Sequence, residues 1–134
     1  MSENRTDYLL DINKVLGPKL SKKLPRFAVN FLKRRIHQDE INDCIMHGEH
    51  YCGAGFFDEA LKYVGISYRI RGEENLEPDK RYLFVCNHPL GGPEALIIGS
   101  VFRRLYGQGF KVPVNHILAN LKPLNEFFVP VKVY

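Results

Sequence analysis

Tyr82-Leu-Phe-Val-Cys-Asn-His-Pro-Leu-Gly-Gly-Pro-Glu94 joins an apolar run, a glycine-rich turn and the opening of a second apolar run. The first run, Tyr82 to Cys86, has the continuous apolar character expected of a strand covered on both faces. The second, Pro93 to Leu105, suits a helix with proline early, where its missing N–H costs little. Such a strand–turn–helix places His88 and Glu94 at the lip of a sheet, beside a helix start. It is a seat for general-base chemistry.

Working outward, the same alternation continues on both sides. Ile66 to Arg71 alternates apolar and polar residues as a half-buried strand does. Lys111 to Val114 and Phe127 to Val133 are further strand candidates, Ile117 to Leu121 is ambiguous, and Glu73 to Lys80 reads as a polar loop. Upstream the pattern is helical. Phe56 to Val64 forms a helix stopped by Gly65, and Gln38 to His47 carries Asp39 and Glu40 at its positive end and an Ile41/Cys44/Ile45 stripe. Arg26 to Ile36 places Ala28, Leu32 and Ile36 on one face, with Phe27 and Phe31 beside it. Gly17-Pro18 and Pro25 break what precedes into short pieces. Helices first, then alternating strands and helices, predict an α/β fold with a helical N-terminal portion. The expected division is a basic helical region over residues 1–55 and an α/β unit over 56–134, forming one continuous structural unit.

The chain has 134 residues, 45% of them hydrophobic and 25% charged, which are ordinary globular values. No stretch approaches the roughly 18 apolar residues of a membrane span, and the N-terminus lacks the apolar core of a signal peptide. The net charge of +4 conceals an asymmetry. Lys14, Lys19, Lys22, Lys23, Arg26, Lys33, Arg34 and Arg35 fall between Ile12 and Gln38 with no acid among them, so that stretch carries +8 and the remainder −4. Three readings of the block are open: a solvated helical face, contact with an anionic bilayer, or nucleic-acid binding. No nucleic-acid signature accompanies the charge. In the bilayer reading Lys22, Lys23, Arg26, Lys33 and Arg34 meet the surface while Phe27, Phe31 and Leu32 insert at the interface.

Three cysteines, Cys44, Cys52 and Cys86, make no disulfide framework, which agrees with a reducing cytoplasm. Cys44-x2-His47-x2-His50-x-Cys52 groups four soft ligands and invites a zinc reading, but Cys44 lies on an apolar stripe and the spacing fits no common zinc module. No metal is expected. Cys86 precedes Asn87 on a strand and should point to the opposite face as a buried thiol.

Imidazole is the natural base near neutral pH, and a neighbouring carboxylate fixes its tautomer and balances the charge it acquires. His88 and Glu94 supply that pair. Gly91 and Gly92 let a substrate approach the backbone, and the helix start offers N–H donors to an oxyanion.

Asn87-His88 followed by an acid resembles the first block of the glycerolipid, or lysophosphatidic-acid acyltransferase-like, acyltransferases, commonly N-H-x4-D. Asn87-His-Pro-Leu-Gly-Gly-Pro-Glu94 is similar to a branch form, N-H-P-L-G-G-x-D, found in hemolysin-like proteins and the O-acyltransferases of amino-acid lipids. The departure is Glu for Asp. Leu24-Pro-Arg-Phe27, His37-Gln-Asp-Glu-Ile-Asn42 and Asn120-Leu-Lys-Pro-Leu124 with Phe128-Val-Pro-Val131 resemble that branch's N-terminal helices and second block.

The resemblance implies transfer of a fatty acyl group from an acyl carrier protein or coenzyme A thioester to a hydroxyl of a lysophospholipid, glycerol phosphate or amino-acid lipid. His88 would be the base and Glu94 its orienting acid, with Asn87, Gly91 and Gly92 at the substrate. It implies no cofactor, no covalent intermediate and a peripheral place on the inner face of the membrane. The family's third block, a Glu-Gly loop, does not follow before Tyr134. The expectation is therefore the N-terminal half of a catalytic domain, with a non-catalytic fragment that binds lipid or a partner as the alternative. Self-association through an uncovered sheet edge is also expected.

Overall fold

The computed structural model describes residues 4–87, 92–115 and 118–132. Its helices are α1 (Ile12–Lys23), α2 (Arg26–Arg35), α3 (Gln38–His47), α4 (Gly55–Val64) and α5 (Gly92–Tyr106). Two short strands, β1 (Val112–Asn115) and β2 (Phe128–Val131), pair in parallel with Val112 opposite Phe128. Short 3-10 turns occupy Arg5–Tyr8, Glu73–Asn75, Leu118–Asn120 and Lys122–Leu124.

Local chemistry sets the helix limits. In α1, Gly17 takes φ 76° and ψ 164°, so the helix breaks before Pro18. In α3, Asp39 and Glu40 stand at the positive end and His47 at the negative end, where Nδ1 lies 2.8 Å from Asp43. Gly65, at φ 74°, closes α4. Its N–H donates to the Lys62 carbonyl at 3.1 Å and the Ile66 N–H to the Leu61 carbonyl at 2.9 Å, the paired bonds of a Schellman end.

The core forms where α4 is packed between α3 and α5. Ile41, Cys44 and Ile45 of α3 meet Phe56, Phe57, Ala60 and Leu61 of α4 there. Phe57 also reaches the sheet end, with ring centroids 5.8 Å from Phe110 and 5.6 Å from Phe127, and those two rings stack at 4.7 Å. Each such pair adds about 0.5–1.5 kcal/mol to what burial alone contributes. α5 approaches closely because Gly99 faces the Phe57 ring, where a Cβ would overlap it.

A polar tie holds the same two helices in register. Buried Ser100 donates to Asp58 and lies 2.8 Å from the Tyr68 hydroxyl, and Arg103 donates to the other Asp58 oxygen. Arg104 adds a two-pronged ion pair to Glu73. The N-terminal turn is fastened too. The Arg5 guanidinium donates to the carbonyls of Ile45, Met46 and Gly48 at 3.2, 3.1 and 2.8 Å, and sits 4.6 Å from the Tyr51 ring centre.

Two sequence expectations need correction. Neither Ile66–Arg71 nor Tyr82–Cys86 forms a ladder among the described residues, whose only sheet is β1–β2. The period of two is present in both. Ile66 and Tyr68 pack on the core, and Tyr82 and Phe84 form ring contacts on the α5 side. What is lacking among the described residues is a neighbouring strand to take the backbone hydrogen bonds.

Candidate active site

The segment carrying Asn87 is built by side-chain packing. Phe84 lies 4.4 Å from Phe102 and 6.3 Å from Tyr106, ring centre to ring centre, on the C-terminal half of α5. Alternation then turns Leu83 and Val85 outward, where they are 90% and 89% exposed. The expected cover on both faces is therefore absent among the described residues. Cys86 shares the parity of Tyr82 and Phe84 but is exposed rather than buried. Asn87 ends the described stretch and is exposed.

α5 begins at Gly92, where a Cβ would meet nothing within 4 Å among the described residues. Pro93 and Glu94 follow in the first turn, both half-buried. An acid there is favoured by the positive helix end. His88 and Gly91, which the sequence assigns to the base and to the substrate backbone, lie outside the described residues. Of the predicted site, Asn87, Gly92 and Glu94 can be placed. Asn87 ends one described stretch and Gly92 and Glu94 open the next, and α5, which carries Glu94, is held by the Asp58–Ser100–Arg103 tie. Sequence reading missed that tie, because Asp58, Ser100 and Arg103 meet only once α4 and α5 are packed.

The other chemistry-bearing residues fall out differently. Cys44 is fully buried, and loss of solvation, with Glu59 and Asp43 nearby, pushes its thiol up to about 12. His47 pairs with Asp43, and the His50 ring rests so close to Gly55 that a Cβ there would collide with it. No group of three or more His, Cys, Asp or Glu is placed to hold a metal among the described residues. No described helix is long and apolar enough to cross a membrane.

Residues 12–134, which include Asn87 and the start of α5, match an acyltransferase family model. The chain belongs to that acyltransferase family. It is 36% identical over 127 residues to the lyso-glycine lipid O-acyltransferase of Bacteroides thetaiotaomicron, a match covering 92% of this chain and 47% of that protein. A second lyso-glycine lipid O-acyltransferase, from Phocaeicola vulgatus, is 34% identical over 127 residues, covering 92% of this chain and 46% of its own length. The chain thus spans about half the length of the curated relatives it matches. No solved structure matches it.

Proposed function

We propose that the chain carries the acyl-transfer half-site of a lysolipid O-acyltransferase, with an amino-acid lipid such as a lyso-glycine lipid as acceptor and an acyl carrier protein or coenzyme A thioester as donor. A lysophospholipid or glycerol phosphate is the alternative acceptor. His88 removes the acceptor hydroxyl proton as the oxygen attacks the thioester carbonyl. The tetrahedral intermediate collapses with loss of the thiolate, which takes the proton back from the imidazolium. An ester and a free thiol result. Glu94 holds the imidazole tautomer and balances its charge. Asn87, Gly91 and Gly92 border the acyl group, and the N–H groups of the helix start face the developing oxyanion. No metal or covalent enzyme intermediate takes part.

The observation that carries this reading is the likeness to two O-acyltransferases over nine-tenths of the chain, within a family match that includes Asn87–Glu94. The test is transfer of a radiolabelled acyl group from acyl carrier protein or coenzyme A to a lyso-glycine lipid. His88→Ala should lower the rate by about 10²–10⁴-fold. An unchanged rate removes His88 from the reaction.

The acceptor lives in membrane, and the reading includes a peripheral position on the cytoplasmic face of an anionic bilayer. Phe27 and Phe31, 76% and 64% exposed on α2, support it, as do Lys22, Lys23, Arg26, Lys33 and Arg34 around them. Basic side chains contribute about 1 kcal/mol each near such a surface. Exposed Leu83 and Val85 favour a second reading, a fold that self-associates or binds lipid or a partner without turnover. A wild-type protein that floats with vesicles but transfers no acyl group supports that second reading.

A further inference from the structure

A cleft of about 640 Å³ opens beside the N-terminal segment, at some remove in sequence from Asn87 and Glu94. Lys14 of α1, Lys33 of α2 and Lys122 of the 3-10 turn before β2 all line it. The first two belong to the basic block, and the third comes from the far end of the chain. None of the three makes an ion pair among the described residues.

The walls are fixed. The Asn42 side chain accepts the Leu10 N–H at 2.8 Å and donates to the Leu10 carbonyl at 2.8 Å. Gln38 also lines the cleft although it is only 7% exposed. Its carbonyl accepts the Ile12 N–H at 2.9 Å, and its amide NH2 makes no hydrogen bond among the described residues. That NH2 is not sealed from solvent, so it stands as a further donor on the lysine-lined wall of the cleft.

Two acids share the space, Asp7 and Asp11. Asp11 is committed to capping α1, accepting the Asn13 N–H at 2.9 Å. Three ammonium groups against two carboxylates leave one positive charge, which suits a singly charged anion. Leu9, Leu10 and Val15 contribute an apolar stretch to the same wall.

We propose that this cleft binds the anionic head of an amphiphile, its carboxylate among Lys14, Lys33 and Lys122 and its first methylenes against Leu9, Leu10 and Val15. The inference rests on the acyl-transfer reading for the identity of the amphiphile as acceptor, because a glycine-headed lipid ends in a carboxylate. A free inorganic anion offers the same charge without the apolar portion.

The probe is N-dodecanoylglycine below its micelle concentration, titrated calorimetrically into the whole protein, with its methyl ester and inorganic phosphate as controls. The acid should bind about tenfold or more tighter than the ester, since a charge-assisted contact is lost. Phosphate alone should bind more weakly than the acid. Lys33→Ala and Lys122→Ala should each weaken the acid several-fold, and Lys122→Arg should retain it. Melting temperatures should not move, because no described acid pairs with either lysine.

Equal binding of acid and ester, or wild-type affinity in both alanine variants, overturns the proposal. Phosphate binding as tightly as the acid overturns its amphiphile part. These outcomes are separable from the acyl-transfer reading. Intact His88-dependent transfer without the acid–ester difference refutes the cleft alone. The difference without any transfer refutes the enzymatic reading alone.

Discussion

α2 and α4 are both ten-residue helices with two phenylalanines, and they meet opposite fates. In α4, Phe56 and Phe57 are adjacent, and with Ala60 and Leu61 they form a wide apolar surface that α3 and α5 cover from two sides. In α2, Phe27 and Phe31 stand one turn apart on a helix that holds no buried residue and ends in Lys33, Arg34 and Arg35. Aromatic content does not decide burial. The width of the apolar face and the presence of a second element to cover it do.

The contrast can be broken most strongly in α4. Phe57→Ala should cost roughly 3–5 kcal/mol by urea unfolding, since it removes a fully buried ring and leaves a cavity. Gly99→Ala should cost about 1–3 kcal/mol by the opposite route, overpacking against that ring. A loss under 1 kcal/mol in Phe57→Ala would mean that the α4 face is not the organising surface. Next in size is Ser100→Ala, which deprives Asp58 of a donor and should cost about 1–3 kcal/mol.

Cys44 sharpens the comparison by pH. Its folded thiol is raised from the ordinary 9.0 to about 12, so the folded state holds this proton more tightly than the unfolded one. Its contribution is complete below pH 9 and falls away between pH 9 and about 12. Cys44→Ser should flatten that part of a stability–pH curve. A disulfide reagent at pH 8 should label exposed Cys86 in the folded protein and leave Cys44 untouched. The smallest effect belongs to α2. Phe27→Ser with Phe31→Ser should change unfolding energy by about 0.5 kcal/mol or less per site, yet abolish flotation with anionic vesicles. Unfolding by several kcal/mol would show that α2 is core after all.

Elements governed by contacts three or four residues apart were legible in the sequence. α3 spans Gln38 to His47 as the pattern predicts, and α4 and α5 agree within a residue at each end. β1 and β2 were legible as short apolar runs near their places. Ile66–Arg71 and Tyr82–Cys86 were not, since a strand is defined by a neighbour that local pattern cannot supply. The buried thiol expected at Cys86 failed as well: it shares the parity of Phe84, which reaches α5, yet it is exposed. For the site, Asn87, Gly92 and Glu94 were read from a motif. The Asp58–Ser100–Arg103 tie, and the cleft that Lys14, Lys33 and Lys122 line, were invisible because they join positions tens of residues apart.

The anchoring of Arg5 has a consequence for proteolysis. Trypsin needs a basic side chain that can leave its surroundings and enter a deep pocket, and Arg5 is committed to three carbonyls and a ring. Lys22 and Lys23, exposed in the last turn of α1, are not so held. Brief digestion should therefore nick the chain near Lys23 long before Arg5. Early release of the first five residues would mean that the clasp opens faster than the helices beside it.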